Sequence, residues 1–176
     1  MDANRLDTHL AELAACVSGR DLRFATAESC TGGQLAAALA GHETLGSHLE
    51  RGFVVYSIDA KCEMLGIHRE LAERRQGVSG AVTAALASAA LEKSNADITI
   101  AITGFCGPNE DDEEVGLVYL ASAQRGVGLD SRVCHFGDIG RRAVLDQAVS
   151  EALAMLQSAA QSHFDLEDGH ARSHQK

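Results

Sequence analysis

The sequence predicts an α/β fold: a single-domain three-layer sandwich in which a mixed sheet carries helices on both faces. Short apolar or β-branched runs alternate with stretches of helical periodicity through the first two thirds of the chain. Two alternating runs around Arg125-Gly126 then read as a hairpin. A long amphipathic stretch follows, which supplies one more covering helix.

Each element has its own signal. Leu6, Leu10, Leu13, Ala14 and Val17 recur at helical spacing, and Gly19 ends the run. Residues 22–27 are short and apolar and read as a buried strand. They run into Glu28-Ser29-Cys30-Thr31-Gly32-Gly33, after which residues 34–40 are alanine-rich and helical. A polar loop over 41–52 leads to a second strand over 53–57. Asp59 is expected to cap a helix ending at Leu65 and closed by Gly66. Ser79 is expected to cap a longer one carrying Val82, Leu86, Ala89 and Ala90. Residues 97–103 contain Ile98-Thr99-Ile100-Ala101-Ile102, a β-branched run suited to a strand. The loop over 104–114 holds the only proline, Pro108, and four consecutive acids at 111–114. The hairpin is expected over 115–123 and 127–136, and a final helix over 141–162 with Val144, Ala148, Ala152, Met155 and Leu156 on one stripe. From Phe164 the sequence is polar and is expected to be disordered. The division is therefore one domain over 1–163 and a tail over 164–176, without internal repeat or linker.

Composition narrows the function classes. A chain of 176 residues with 45% hydrophobic and 23% charged residues can bury a core of its own. No apolar run approaches the ~20 residues that span a bilayer, and the start of the sequence lacks the apolar segment of a signal peptide; a cytoplasmic protein is expected. The net charge of −10 disfavours a nucleic-acid surface, and 4% aromatic residues with no Trp leave few stacking platforms. A small charged metabolite suits this chain better. Five cysteines, none in a C-x-x-C pair, point to reduced thiols rather than a disulfide framework or zinc ribbon, and Cys30 and Cys106 leave a reactive thiol open as the alternative.

The chemistry-bearing residues gather at strand ends. A strand, a turn of small residues and a helix present a hydroxyl above a sheet, with unpaired N–H groups at the helix start able to hold an anion. Ser29 occupies that position; the alternative is that Ser29 or Thr31 only caps the helix. Gly32 and Gly33 would let a ligand approach the backbone. A serine hydroxyl needs a base, and Lys61 follows the second strand, beyond Tyr56. Burial would lower its pKa and fit it for that role; the alternative is a solvated surface charge. Thr103-Gly104 supplies a third strand end, and ligands of open α/β sheets bind where such ends meet helix starts. The acidic run at 111–114 reads either as a divalent-cation site or as a solvated loop, and its spacing favours the loop. Nothing positions His163, His170 and His174 for a metal.

The blocks AESCTGG (27–33), ERGFVVYSIDAK (50–61) and ITGFCGP (102–108), with the weaker VGLVYLA (115–121), resemble the signatures of the CinA C-terminal domain family, the nicotinamide-nucleotide amidases. The likeness runs in order along nearly the whole chain. The molybdopterin-binding-like domain that precedes this module in longer members has no counterpart in the sequence. The resemblance implies hydrolysis of nicotinamide mononucleotide to nicotinate mononucleotide and ammonia, with no metal or organic cofactor, in a homo-oligomer. By position it implies Ser29 as nucleophile and Lys61 as general base assisted by Tyr56. It implies backbone N–H groups of Cys30, Thr31, Gly32 and Gly33 around the oxyanion. Thr103 and Gly104 would line the site, Ser79 would lie near the substrate, and either Arg141 or Arg142 would meet the phosphate.

Three departures stand beside that likeness. Ile58 replaces the asparagine usual in active relatives, which removes an amide's hydrogen bonds. Residues 109–114 are acidic where relatives are glycine-rich and carry a lysine, and Gly80 replaces a common acid. They keep open a second class, a paralogue that binds a nucleotide or another partner without turnover.

Overall fold

The computed structural model describes residues 3–107 and 113–173. Helix α1 (Ala3–Val17) leads to strand β1 (Phe24–Glu28) and α2 (Gln34–Gly41). Then come β2 (Leu49–Val54), α3 (Ile58–Leu65), α4 (Arg69–Glu73), α5 (Gly80–Glu92), β3 (Ile98–Gly104), β4 (Leu117–Gln124), β5 (Gly128–His135) and α6 (Arg141–Ser173). The strands lie in the order β2-β1-β3-β4-β5. β1 is parallel to β2 and β3, while β4 is antiparallel to β3 and β5. The mixed sheet with helices on both faces is the architecture that the sequence predicts.

Strand alternation builds the two cores. Phe24, Ile98, Ile100, Ile102, Val118 and Leu120 point to one face and pack with residues of α1, α2 and α6. Ala27, Ala101, Ala121 and Ala123 point to the other and pack with Val82, Leu86, Ala87 and Ala90 of α5. Leu65 of α3 and Ala72 of α4 complete this second core. Alanines on the second face let α5 lie close to the strands. Close approach also lets β3 threonines bond to that helix: Thr99 Oγ1 donates to the Ala87 carbonyl at 2.7 Å, and Thr103 Oγ1 lies 2.8 Å from Thr83 Oγ1.

Glu28 ends β1 with the parity of Phe24 and therefore faces α2. Its side chain is fully buried. It accepts from Thr31 Oγ1 at 2.7 Å and Thr26 Oγ1 at 3.2 Å, and from the backbone N–H groups of Gly33, Leu35 and Ala36 at 3.1, 3.0 and 2.8 Å. Those amides open α2 and would otherwise lack acceptors. The N-cap residue Gly33 has no side chain to serve them, so the strand caps the helix that follows it. Gly33 has φ 98°, and a Cβ there would stand 3.3 Å from Val54 Cγ2; the backbone and β2 require the glycine.

Several boundaries differ from the sequence expectation. The polar loop over 41–52 contains a 3₁₀ turn, Leu45–His48, and most of β2, which starts at Leu49 rather than at 53. β2 is a partly exposed edge strand, so it lacks the apolar alternation of a covered one. Ser57, not Asp59, caps α3, accepting from the Ala60 N–H at 3.0 Å. Asp59 instead pairs with Arg69 at 2.6 Å. The expected disordered tail is corrected: α6 continues to Ser173. Leu153, Leu156, Ala160 and Phe164 form one buried stripe, and the Arg20 guanidinium lies 4.4 Å from the Phe164 ring centroid. Among the described residues no helix is long and apolar enough to cross a membrane.

Glu28→Ala would leave the buried amides that open α2 without their acceptor. It is expected to lower the unfolding free energy by about 2 kcal/mol or more. Urea denaturation checks this, and a loss below about 0.5 kcal/mol, within the range of an ordinary surface change, would contradict the capping role.

Candidate active site

The site forms where β1, β2 and β3 end together. The Ser29 N–H bonds the Ile102 carbonyl at 3.0 Å, and the Val55 N–H bonds the Glu28 carbonyl at 2.8 Å. The ladder thus continues past β1, and Ser29 keeps the parity of Ala27, toward α3 and α5. On α3, Lys61 and Leu65 lie one turn apart on the buried side. That side faces the sheet end carrying Ser29.

Lys61 is 1% exposed. Its Nζ lies 3.0 Å from Ser29 Oγ, 3.0 Å from the Val55 carbonyl and 3.1 Å from the Tyr56 carbonyl. All three partners are uncharged. Burial disfavours the ammonium and pulls the Lys61 pKa below the ordinary lysine range, against a smaller opposing effect of the Cys30 and Cys62 thiols. In the neutral amine two N–H bonds serve the two carbonyls, and the lone pair is left for the Ser29 O–H. Gly77 packs over the lysine stem: with φ +76°, a Cβ there would stand 3.3 Å from Lys61 Cε.

Beside this pair opens a cavity of about 450 Å³. Ser29, Cys30, Tyr56, Ile58, Gly104 and Arg141 line it, along with Gln76 and Cys106. Arg141 is the cation among these lining residues. Arg142 points elsewhere: it pairs with Asp146 at 3.0 Å and lines a separate surface depression. The Tyr56 side chain is 61% exposed, and its bond to Lys61 is made by its main-chain oxygen.

The remaining candidates lie outside the cavity lining. Thr31 is turned to Glu28. Gly32 donates to the Ser29 carbonyl at 3.1 Å, and the Gly33 N–H is committed to Glu28. Among the described residues the N–H groups of Cys30 and Thr31 have no backbone acceptor. Ser79 caps α5 through the Val82 N–H at 3.2 Å. Thr83 Oγ1 donates to the Ser79 carbonyl at 2.8 Å, so its single proton is used and Thr103 donates to Thr83. Thr103 is fully buried beneath the site.

Sequence reasoning missed two residues here, Glu28 and Gln76. Glu28 does the capping considered for Ser29 and Thr31, and its place one residue before the serine on an alternating strand was the available signal. Gln76 reaches the cavity from a turn in which Arg75 and Gln76 both have positive φ, 47° and 57°. Arg75 is held there by Glu113 and by Tyr119 Oη at 3.2 Å; no residue type signals such a turn. Cys106 lies on the lining together with Cys30, the two cysteines at which the sequence leaves a reactive thiol open. Of the acidic run, Glu113 pairs with Arg75 and Glu114 with His135 at 2.8 Å. Residues 108–112 lie outside the described residues, and the cation-or-loop question for 111 and 112 with them.

Known proteins resemble the chain over this whole framework. The family model described as "CinA C-terminal domain" matches residues 6–160. Protein YdeJ of Escherichia coli K12 is 38% identical over 159 residues, covering 89% of this chain and 91% of YdeJ. The nicotinamide-nucleotide amidohydrolase PncC of the same organism is 38% identical over 148 residues, covering 82% and 88%. Among solved structures, the competence/damage inducible protein CihA from Agrobacterium tumefaciens superposes with a TM-score of 0.84 at 34% identity, covering 89% of this chain and 96% of that one. A CinA superfamily protein from Escherichia coli gives 0.80 at 37%, covering 89% and 92%. The strand-end serine and its lysine therefore sit within a known framework, and the chain belongs to the CinA C-terminal domain family.

Proposed function

We propose that the protein is an amidohydrolase that converts nicotinamide mononucleotide to nicotinate mononucleotide and ammonia through Ser29 and Lys61. The observation that carries this reading is the buried Lys61 amine, 3.0 Å from Ser29 Oγ with only carbonyls as its other partners. The substrate class comes from the likeness to PncC, whose name is nicotinamide-nucleotide amidohydrolase.

In this mechanism neutral Lys61 takes the Ser29 proton as Oγ attacks the carboxamide carbon. The N–H groups of Cys30 and Thr31 are the donors for the oxyanion, replacing the wider set from Cys30 to Gly33 that the resemblance implies. As the tetrahedral centre collapses, the C–N bond breaks and Lys61 gives its proton to the departing nitrogen, releasing ammonia. Water, deprotonated by the same amine, then attacks the ester, and Ser29 leaves with the proton restored. Arg141 is the partner for the phosphate; Arg142, tied to Asp146, is not. Tyr56 contributes its carbonyl to hold Lys61 and its ring to the cavity rim. Gly104 contributes backbone to the wall, while Ser79 and Thr103 support the site from outside it. A cytoplasmic homo-oligomer belongs to the same reading. It is favoured by β5, a sheet edge on which Leu129 and Val133 are about half exposed beside Val127.

One observation favours a second reading, nucleotide binding without turnover. Ile58 lines the cavity and offers a substrate no hydrogen bond.

Incubation with nicotinamide mononucleotide is expected to release ammonia, and Ser29→Ala or Lys61→Ala to reduce the rate at least about a thousandfold. Saturable binding with no ammonia above buffer would support the second reading and sink the first. The pH dependence follows from the lowered Lys61 pKa. Neutral amine is the active form, so kcat/KM should fall as pH drops through the Lys61 pKa and level off above it. The midpoint is expected below the ordinary lysine value of about 10.4; a limb centred at or above that value would contradict Lys61 as the base.

A further inference from the structure

Cys30 and Cys106 reach the same wall of the cavity from different strands. β1 and β3 are parallel neighbours with Glu28 opposite Ile102, so the turns that leave them run side by side. Cys30 follows the serine in one turn, and Cys106 lies in the other. Both side chains are buried and belong to one packed cluster, both line the cavity, and each thiol perturbs the other's titration. Arg141 closes the group: its guanidinium would lie 3.7 Å from a Cβ built on Gly107, the residue after Cys106. A pair of neighbouring buried thiols beside a cation, open to a small solute through a cavity, is the arrangement in which one sulfur is activated and the other resolves its oxidation.

We propose that Cys30 and Cys106 form an oxidation site in which a hydroperoxide converts the two thiols to a disulfide that closes the serine cavity. The order of events follows from the surroundings. The neighbouring Cys30 thiol and the Arg141 charge hold the Cys106 pKa below the usual thiol value despite burial. The Cys106 thiol and burial push Cys30 well above it. Cys106, adjacent in the chain to Gly107 where the Arg141 guanidinium closes in, is the attacking thiolate. It takes the distal oxygen of the peroxide, the O–O bond breaks, and the departing oxygen leaves as water after taking a proton, giving a sulfenic acid. The Cys30 sulfur then attacks the Cys106 sulfur as the S–O bond breaks, and the Cys30 proton leaves with the hydroxide as a second water. Two thiols and one hydrogen peroxide become one disulfide and two waters. Cys16, Cys62 and Cys134 are half-buried and line no part of this cavity.

The consequence for catalysis rests on the proposed amidase reading, but the bond itself does not. A link drawn across the cavity wall would displace the Cys30 backbone, whose N–H is the oxyanion donor beside Ser29.

The test uses the full chain, reduced, then treated with equimolar hydrogen peroxide and alkylated. Intact mass and peptide mapping are expected to show a Cys30–Cys106 link with the loss of two hydrogen atoms. That link should be absent from Cys106→Ala and retained in Cys62→Ala. Amidase activity should fall by about a hundredfold, the scale of a misplaced catalytic group, and return with dithiothreitol, while the activity of Cys106→Ala should not respond to peroxide. A link between other cysteines, or alkylation of both Cys30 and Cys106 after peroxide, would overturn the proposal. Sulfinic acid at Cys106 without a link would overturn it too, and a full link with unchanged activity would overturn the closure. If the untreated protein releases no ammonia, the amidase reading fails, and the mapped link still decides the oxidation site.

Discussion

A lysine buried with no carboxylate partner among the described residues is the constraint on which the rest of this site depends. Placing an ammonium in such surroundings is costly, and proteins meet that cost by pairing the charge or by giving it up. Here the partners of Nζ are a hydroxyl and two main-chain carbonyls. They match a neutral amine donating two hydrogens and accepting one. The protein holds those carbonyls in place by turning the chain sharply between β2 and α3, with Ser57 capping the helix that carries the lysine. Gly77, packed over the stem, completes the enclosure.

The serine is brought to that amine by strand parity. Glu28 and Ser29 are adjacent, so alternation sends them to opposite faces of the sheet. Glu28 binds the opening amides of α2, and Ser29 meets α3 on the other side. The two roles depend on each other. Because Glu28 caps the helix, Ser29 and Thr31 are free of that duty, and the turn is held rigidly enough to present a hydroxyl at hydrogen-bonding distance. The same bonds limit what the turn can offer a ligand, since the Gly33 N–H is already occupied. Among the described residues the amides of Cys30 and Thr31 are the ones at this turn that have no backbone acceptor.

Much of the fold was legible in the sequence because its buried elements carry strong patterns. The isoleucines at 98, 100 and 102 and the stripe through Leu153 and Leu156 are examples. Legibility failed where burial was partial or tertiary contacts prevailed. β2 begins in a polar segment because it is an edge, and Arg75 and Gln76 take positive φ because Glu113 and Tyr119 hold them. Phe164 was readable: it continues the α6 stripe by one turn, and the polar residues around it obscured that. Within the site, Ser29 and Lys61 could be named from residue type and position. The choice of Arg141 over Arg142 could not, because it depends on which side of the first turn of α6 faces the cavity and which meets Asp146. Cys30 and Cys106 could be singled out by their segments, but not as neighbours, because their turns follow different strands.

The Ser29–Lys61 dyad rests on burial lowering the Lys61 pKa, so that its amine gives up a proton more readily than an ordinary lysine. Its titration can be followed directly by heteronuclear NMR of the lysine Cε–Nζ group, assigned with Lys61→Met. The account predicts a midpoint clearly below the ordinary lysine value of about 10.4. A midpoint at or above that value would mean that Lys61 stays an ammonium at neutral pH, donating to Ser29 rather than accepting its proton, and would contradict the Ser29–Lys61 dyad.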